Sequence, residues 1–160
     1  MMKEKNGEHP FGDAGQLILA AVFLVVWATD TFVLHWSTFL KQRDPSSVHM
    51  VVTVVLAVLA VALFFSSRTV IQKERPDHVI DTGPFRRVRH PLYLAALLGY
   101  AATAISSLSL ISFVLLIPVF VFYNTIAGYE EKLLEARFGE SYRNYERRTG
   151  KWLPGVGRQG

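Results

Sequence analysis

The sequence predicts an all-α integral membrane protein: a bundle of about four transmembrane helices with a cytoplasmic loop and a C-terminal amphipathic helix. Three observations support this prediction. Hydrophobic residues make up 51% of the 160 residues and charged residues only 19%, whereas soluble domains carry about 25% charged residues. Residues 92–128 contain no Lys, Arg, Asp, Glu or His, and such a run exceeds the apolar segment that a bilayer span requires. The basic residues are also distributed asymmetrically along the chain.

The predicted spans cover about residues 16–40, 48–65, 92–106 and 110–128. The last two share the uncharged run, and Ser106-Ser107-Leu108-Ser109 near its middle predicts a tight turn between them. A single helix is the alternative, but one of 37 residues would extend roughly 55 Å, well beyond a bilayer. The apolar runs are continuous, whereas membrane β-strands alternate apolar and polar residues. A helical hairpin is therefore predicted.

Orientation follows from the basic residues. With four spans, 15 of the 17 lie at the two termini and in the middle loop, and only Lys41 and Arg43 lie on the other side. Cytoplasmic segments of membrane proteins carry the excess of Lys and Arg. We therefore expect both termini, the loop 75–93 and the tail 129–160 to be cytoplasmic, within one membrane domain that covers residues 1–160.

Several functional classes are excluded or disfavoured. The chain has no cysteine, so a disulfide framework, a thiolate nucleophile and Cys-ligated zinc are excluded. None of the motifs G-x-G-x-x-G after a strand, P-loop, H-E-x-x-H or G-x-S-x-G is present, and no metal site is predicted. The net charge of +4 fits loops that face an anionic leaflet, so a nucleic-acid partner is not expected.

The loop 75–93, RPDHVIDTGPFRRVRHPLY, combines unusual residues next to the membrane. Gly83-Pro84 indicates a turn, and Pro91 suits the first position of the third span. His90 is thereby placed at a helix N-terminus, where the helix dipole favours anions. Two structural interpretations remain open: His90 as a helix-start residue bonded to backbone, and Arg89 as a positively charged membrane anchor.

The tail combines a pair of acids with an aromatic stripe. Glu130-Glu131 closes the fourth span, where carboxylates are costly unless they are hydrated or paired. They are either solvated acids at the membrane interface, paired with arginines of the loop, or they hold a cationic ligand. Beyond them an amphipathic helix is predicted that would lie against the membrane surface and close over a site, with an interruption at Gly139. Its stripe consists of Leu134, Phe138, Tyr142 and Tyr145.

Two polar residues interrupt the first predicted span. Asp30 and His35 are expected to be structural, because they either face the bundle interior or mark the outer boundary of the membrane.

Three motifs together indicate a family. They are GPFRRVRHPLY at 83–93, Glu130-Glu131, and FGESYRNY at 138–145 followed by Pro154. With these motifs, about residues 75–154 resemble the isoprenylcysteine carboxyl methyltransferase family, which is similar in turn to the phospholipid N-methyltransferases. The resemblance implies a membrane enzyme without a Rossmann domain that transfers a methyl group from S-adenosylmethionine to a lipophilic or lipidated acceptor at the cytoplasmic face.

The resemblance also implies which residues bind the cofactor, but it implies no catalytic residue. Arg89 and His90 suit the carboxylate of S-adenosylmethionine, Glu130 its ammonium or a ribose hydroxyl, and the rings of Phe85 and Tyr93 its adenine or sulfonium. The complete implied set is His78, Val79, Ile80, Phe85, Arg89, His90, Pro91, Leu92, Tyr93, Glu130 and Glu131.

The chain also departs from the family pattern. Phe85 replaces a frequent tyrosine, Asp77 stands where a histidine can occur, and Ile126 occupies the position of an arginine implicated in substrate handling. The acceptor therefore stays open between a prenylated carboxylate or thiol and a phospholipid amine. Two other classes remain as alternatives: a nicotinamide-dependent membrane reductase and a non-catalytic membrane protein.

Overall fold

The computed structural model describes residues 12–38, 48–74 and 77–155. Within these ranges the chain is helical and contains no β-strand, so the predicted all-α bundle is confirmed. A π-helical segment, Thr29–Leu34, continues the first helix, and a 3-10 turn, Gly83–Arg86, precedes the third. The α-helices are α1 Gly12–Ala28, α2 Val48–Lys73, α3 Pro91–Ser107, α4 Leu110–Phe138 and α5 Glu140–Arg148.

Within the described ranges, three helical segments are long and apolar enough to cross a membrane: Gly12–Leu34, Val48–Lys73 and Leu110–Phe138. The fourth apolar helix, α3, has 17 residues and a length of about 26 Å, slightly less than a hydrocarbon core of about 30 Å. Large apolar side chains such as Val51, Val58 and Phe65 are exposed along α2. An exposed apolar surface of this extent requires lipid around it, as expected for an integral membrane protein.

The helix ends differ from the predicted spans. The first span was predicted at 16–40, but its helix begins at Gly12 and ends at Leu34, and residues 39–47 lie outside the described ranges. The second helix continues past 65 to Lys73, and the fourth past 128 to Phe138. Hydropathy marks where apolar residues stop, whereas a helix continues until its backbone hydrogen bonds are broken. Gly139, with φ 55°, ends α4, as the sequence predicted.

The predicted turn of the helical hairpin is confirmed. Leu108 ends α3 in the left-handed conformation, with φ 49°, as is common at helix C-termini. The Oγ of Ser109 then accepts a hydrogen bond of 3.2 Å from the N–H of Ser112 and so caps the start of α4. The hairpin returns the chain to the level of the loop that precedes α3.

Asp30 fastens the π-helical segment to this hairpin. Its carboxylate, 2% exposed, accepts hydrogen bonds from Ser109 Oγ at 2.6 Å and from Ser37 Oγ at 2.7 Å. His35 closes the π-helical segment with φ 53° and is exposed. Asp30 thus lies in the interior of the bundle, which is one of the two structural roles expected for it.

The core lies among α1, α3 and α4, where it consists of Phe23, Tyr100, Ala104, Val119 and Tyr123. The rings of Phe23 and Tyr100 meet edge to face, with centroids 4.8 Å apart, an arrangement that aromatic pairs favour. Helix α2 packs against α3 outside this core. Residues of α2 and of the N-terminal half of α3 nevertheless line a common cavity.

Candidate functional site

The loop before α3 is held close to α2 by a glycine. Gly83 has φ +55°, and a Cβ at this position would come within 2.9 Å of a methyl carbon of Val70. Both facts require glycine, because other residues resist this backbone conformation and have no space here. The turn brings Phe85 and the following residues to the end of α2.

Arg89 is buried in a set of protein contacts. Its Nε donates a hydrogen bond of 2.8 Å to Glu131, its Nη1 donates to the carbonyl oxygens of Glu146 and Thr149, and its Nη2 lies 3.4 Å from the Glu146 carboxylate. Its backbone N–H donates to the carbonyl of Gly150 at 2.9 Å. Since the guanidinium makes three hydrogen bonds and a further ion pair with protein oxygens, Arg89 joins the loop, α4 and the tail.

His90 lies between the two glutamates. Its Nε2 is 3.2 Å from Glu131 Oε1 and its Nδ1 is 3.5 Å from Glu130 Oε2. Burial alone would lower the pKa of His90, but hydrogen bonds to Glu130 and Glu131, together with their negative charges, outweigh burial and raise this pKa above its ordinary value. The histidine ring is thereby favoured in its charged form.

Tyr93 stands one turn further along α3. Its hydroxyl donates a hydrogen bond to Glu130 Oε1, and its ring stacks on that of His90 with centroids 5.6 Å apart and 7° between planes. The side chain of Glu130 is still 32% exposed, so its carboxylate can bind a further group. His90, Tyr93 and Glu130 are brought together although α3 and α4 supply them separately.

These three residues line a cavity of about 790 Å³. The volume lies within the range of small-molecule sites. The facing wall comes from α2, and the start of α1 contributes Asp13 and Gln16. The α2 wall consists of Ala60, Val61, Phe64, Phe65, Arg68 and Ile71. One side of the cavity is therefore charged and aromatic, and the other is mostly apolar.

The predicted cofactor residues divide into two groups. Seven line the cavity: Phe85, Arg89, His90, Pro91, Leu92, Tyr93 and Glu130. His78, Val79 and Ile80 lie outside its lining, and His78 is instead 3.6 Å from Glu74. Glu131 is also outside the lining and pairs with Arg89, His90 and Lys151.

Helix α5 of the tail contacts the loop and stabilises its position. Tyr142 and Tyr145 of α5 are 2% and 3% exposed, and the Tyr145 hydroxyl donates a hydrogen bond of 2.7 Å to the Phe85 carbonyl. Burial is the main cause that raises the pKa of both phenols. Of the predicted aromatic stripe, only Leu134 lines the cavity. The expectation that Tyr142 and Tyr145 close over the site was wrong, because both pack against the protein and lie outside the cavity lining.

The sequence profile of the phospholipid methyltransferase family matches residues 49–141, more than half of the chain. The chain belongs to this family. The match contains α2, the loop, α3 and α4, and with them the facing walls of the cavity. The resemblance to membrane methyltransferases is thus confirmed.

The chain is also similar to a methyltransferase that acts on a small thiol. The methanethiol S-methyltransferase of Pseudomonas deceptionensis is 33% identical over 100 residues, which are 59% of this chain and 37% of that protein. The chain therefore matches well under half of the relative's length.

Three polar residues of this family member were missed by sequence reasoning. Asp13, Gln16 and Arg68 line the cavity, but none belongs to the motifs. In the sequence, Arg68 contributed only to the count of basic residues that predicts the orientation of the protein in the membrane. Its spacing from Val61, Phe64 and Phe65 places all four on one helix face. This spacing was the feature of the sequence that could have indicated a role for Arg68 in the site.

Proposed function

We propose that this cavity binds S-adenosylmethionine and that the protein transfers its methyl group to a lipophilic acceptor at the cytoplasmic membrane face. One observation carries the proposal: the cavity joins two chemically different walls. His90, Tyr93 and Glu130 offer charge and hydrogen bonds, while Val61, Phe64 and other α2 side chains offer apolar surface. A charged donor and a lipophilic acceptor would need these two environments side by side.

The residues present fit S-adenosylmethionine. The partly exposed carboxylate of Glu130 suits an ammonium or a ribose hydroxyl. The rings of Phe85 and Tyr93 suit adenine, and an aromatic face also attracts a cation such as a sulfonium. When bound, S-adenosylmethionine supplies an electrophilic methyl group on sulfur.

The protein contributes position and a dry environment. Tyr93 and His90 fix the Glu130 carboxylate, since the first donates a hydrogen bond to it and the second lies 3.5 Å away. The mostly apolar side chains of the α2 wall disfavour water on that side of the cavity, which would strengthen electrostatic contacts within it. Correct placement of two reactants can supply much of the rate of a displacement reaction.

The α2 wall supports an acceptor that enters from the bilayer. Phe65 is 64% exposed and also lines the cavity, and this arrangement would give a lipophilic acceptor an apolar route from the bilayer to the site. Ile126, 3% exposed, is part of the cavity lining at the position of the family arginine. This apolar residue favours a phospholipid amine or a thiol over a prenylcysteine carboxylate as the acceptor.

A titration of detergent-purified protein tests the donor. Binding of S-adenosylmethionine supports the proposal, binding of a nicotinamide favours the reductase alternative, and binding of neither favours a non-catalytic membrane protein. Methyl transfer is then assayed with long-chain and short-chain versions of the same thiol, amine and carboxylate. We expect the long-chain acceptors to react preferentially, and equal reaction of the short ones would contradict entry from the bilayer.

The cytoplasmic placement has its own test. It rests on the asymmetry of the basic residues. Topology reporters fused after residues 45 and 75 should report opposite sides, with the second cytoplasmic. The same side for both would contradict the four-span arrangement.

A further inference from the structure

The carboxylate of S-adenosylmethionine, the donor in the function proposed above, needs a cation in this cavity. A carboxylate removed from water is costly unless a charged group pairs with it. Arg89 lines the cavity, but its guanidinium already contacts Glu131, Glu146 and Thr149. His90 lies between Glu130 and Glu131. The positive charges of both motif residues are thus balanced by protein carboxylates.

Arg68 is the remaining cationic side chain in the described lining of the cavity. Among the described residues, no carboxylate lies within ion-pair distance of it. Its guanidinium carbon is 5.9 Å from the centre of the Phe64 ring, a contact that orients the side chain without neutralising it. A guanidinium can bind a carboxylate through two parallel hydrogen bonds.

Along the axis of the helical bundle, Arg68 lies at the same level as the motif residues of the loop. Val70, two residues later on α2, lies against Gly83 of the loop, and Ile71 lines the same cavity as Phe85. Arg68 therefore stands at the level of the loop, on the wall that faces α3 and α4.

The charges of the two walls are opposite. Glu130 and Asp13 are on one side of the lining and Arg68 is on the α2 side. An amino acid group, with an ammonium and a carboxylate on one carbon, complements such a pair of walls. We propose that Arg68 binds the carboxylate of S-adenosylmethionine while the acidic residues attract its ammonium.

The experiment combines a change in the protein with a change in the ligand. Dissociation constants of S-adenosylmethionine and decarboxylated S-adenosylmethionine are measured for the wild type, Arg68→Gln, Arg68→Lys and Lys73→Gln. Lys73 is the matched control, because it is an exposed cation on the same helix outside the cavity lining. Comparing the two ligands across the variants cancels any effect that does not require both the Arg68 guanidinium and the carboxylate of the ligand. Arg68 is itself exposed, so the melting temperature should change little.

We expect the wild type to bind S-adenosylmethionine about 10- to 100-fold more tightly than the decarboxylated compound. Arg68→Gln should abolish this preference, Arg68→Lys should restore part of it, and Lys73→Gln should retain it. A preference that persists in Arg68→Gln overturns the assignment. In that case, an increased KM of Arg68→Gln for a long-chain acceptor with a carboxylate or phosphate would show that Arg68 binds the acceptor instead of the donor.

The same measurements distinguish an error in the proposed function from an error in the assignment of Arg68. If the wild type does not bind S-adenosylmethionine at all, the proposed donor is wrong and the assignment of Arg68 is wrong with it. If the wild type binds the donor and Arg68→Gln binds it equally well, only the assignment of Arg68 is overturned.

Discussion

Arg89 Nε donates a hydrogen bond of 2.8 Å to Glu131 Oε1, and the two residues are 42 positions apart in the chain. Their side chains are only 6% and 15% exposed. The same guanidinium also contacts Glu146 and Thr149 in the tail. One side chain thus connects the loop, the end of the hairpin and the tail, which indicates a positioning role for Arg89.

Replacing Arg89 with Gln should destabilise the fold. Loss of one partner from a buried ion pair leaves the other charge uncompensated and costs about 3–5 kcal/mol. Arg143→Gln is the control, because Arg143 is 50% exposed in its pair with Glu140, and exposed ion pairs contribute little to stability. Thermal unfolding in detergent measures both. Equal melting temperatures for the two variants would show that the Arg89 contacts do not stabilise the fold.

Replacing Glu130 with Gln should weaken binding of S-adenosylmethionine. The change removes a charge-assisted contact, at a cost on the order of 1.5–3 kcal/mol. Glu135→Gln is a matched control on the same helix, since its side chain is 45% exposed and lies outside the cavity lining. Affinity is measured by titration of folded protein. Unchanged affinity in Glu130→Gln would favour the interpretation of Glu130 as a solvated acid at the membrane boundary.

The raised pKa of His90 predicts a pH dependence of stability. A histidine whose pKa is higher in the folded than in the unfolded state stabilises the fold when it is charged. The contribution is complete below the unfolded pKa of about 6.5 and is lost as the pH rises through the raised folded-state pKa. Melting temperatures measured from about pH 6 to 9 should therefore fall with increasing pH through this interval.

The His90→Gln variant isolates the contribution of this residue. It should melt at a lower temperature than the wild type near pH 6, and the difference should diminish as the pH rises. Each unit by which folding raises the pKa corresponds to about 1.4 kcal/mol. A difference that stays constant across the range would mean that His90 does not titrate there.

The sequence predicted those parts of the fold that local residues determine. The turn at residues 106–109 follows from three serines within an apolar run, and Gly139 marks a helix end. The contacts of Asp30 could not be predicted in this way, because its partner Ser109 is 79 residues away. The continuation of α4 to Phe138 was missed because a helix does not end where hydropathy falls.

The candidate site shows the same division. His90, Tyr93 and Glu130 were predicted to lie together, because the hairpin returns the chain to one membrane face, and all three line the cavity. Pairing of the two glutamates with loop arginines was one of the predicted alternatives, but the contacts of Arg89 with Glu146 and Thr149 were not foreseen. They depend on how α5 packs, and no local pattern records which surface Tyr142 and Tyr145 bury.

Truncation after Gly139 tests whether the tail is needed for cofactor binding. The truncated chain keeps α1 to α4 and Glu130, so we expect it to insert into membranes. It lacks Glu146, Thr149 and Gly150, which hold Arg89. Without them the loop that forms one wall of the cavity should lose its fixed position, and most of the affinity for S-adenosylmethionine should disappear.

A single substitution distinguishes two roles of the tail: holding the loop in position and attaching the protein to the membrane surface. Tyr145→Phe removes the hydroxyl that donates a hydrogen bond to the Phe85 carbonyl but preserves the buried ring. One such hydrogen bond contributes about 1 kcal/mol, so the affinity should fall several-fold while the truncated protein loses far more. Membrane fractionation and titration with S-adenosylmethionine measure the two effects. If the truncated protein binds the cofactor as tightly as the full chain, the tail only anchors the protein at the surface, and the loop keeps its position through its contacts with α2 and α4.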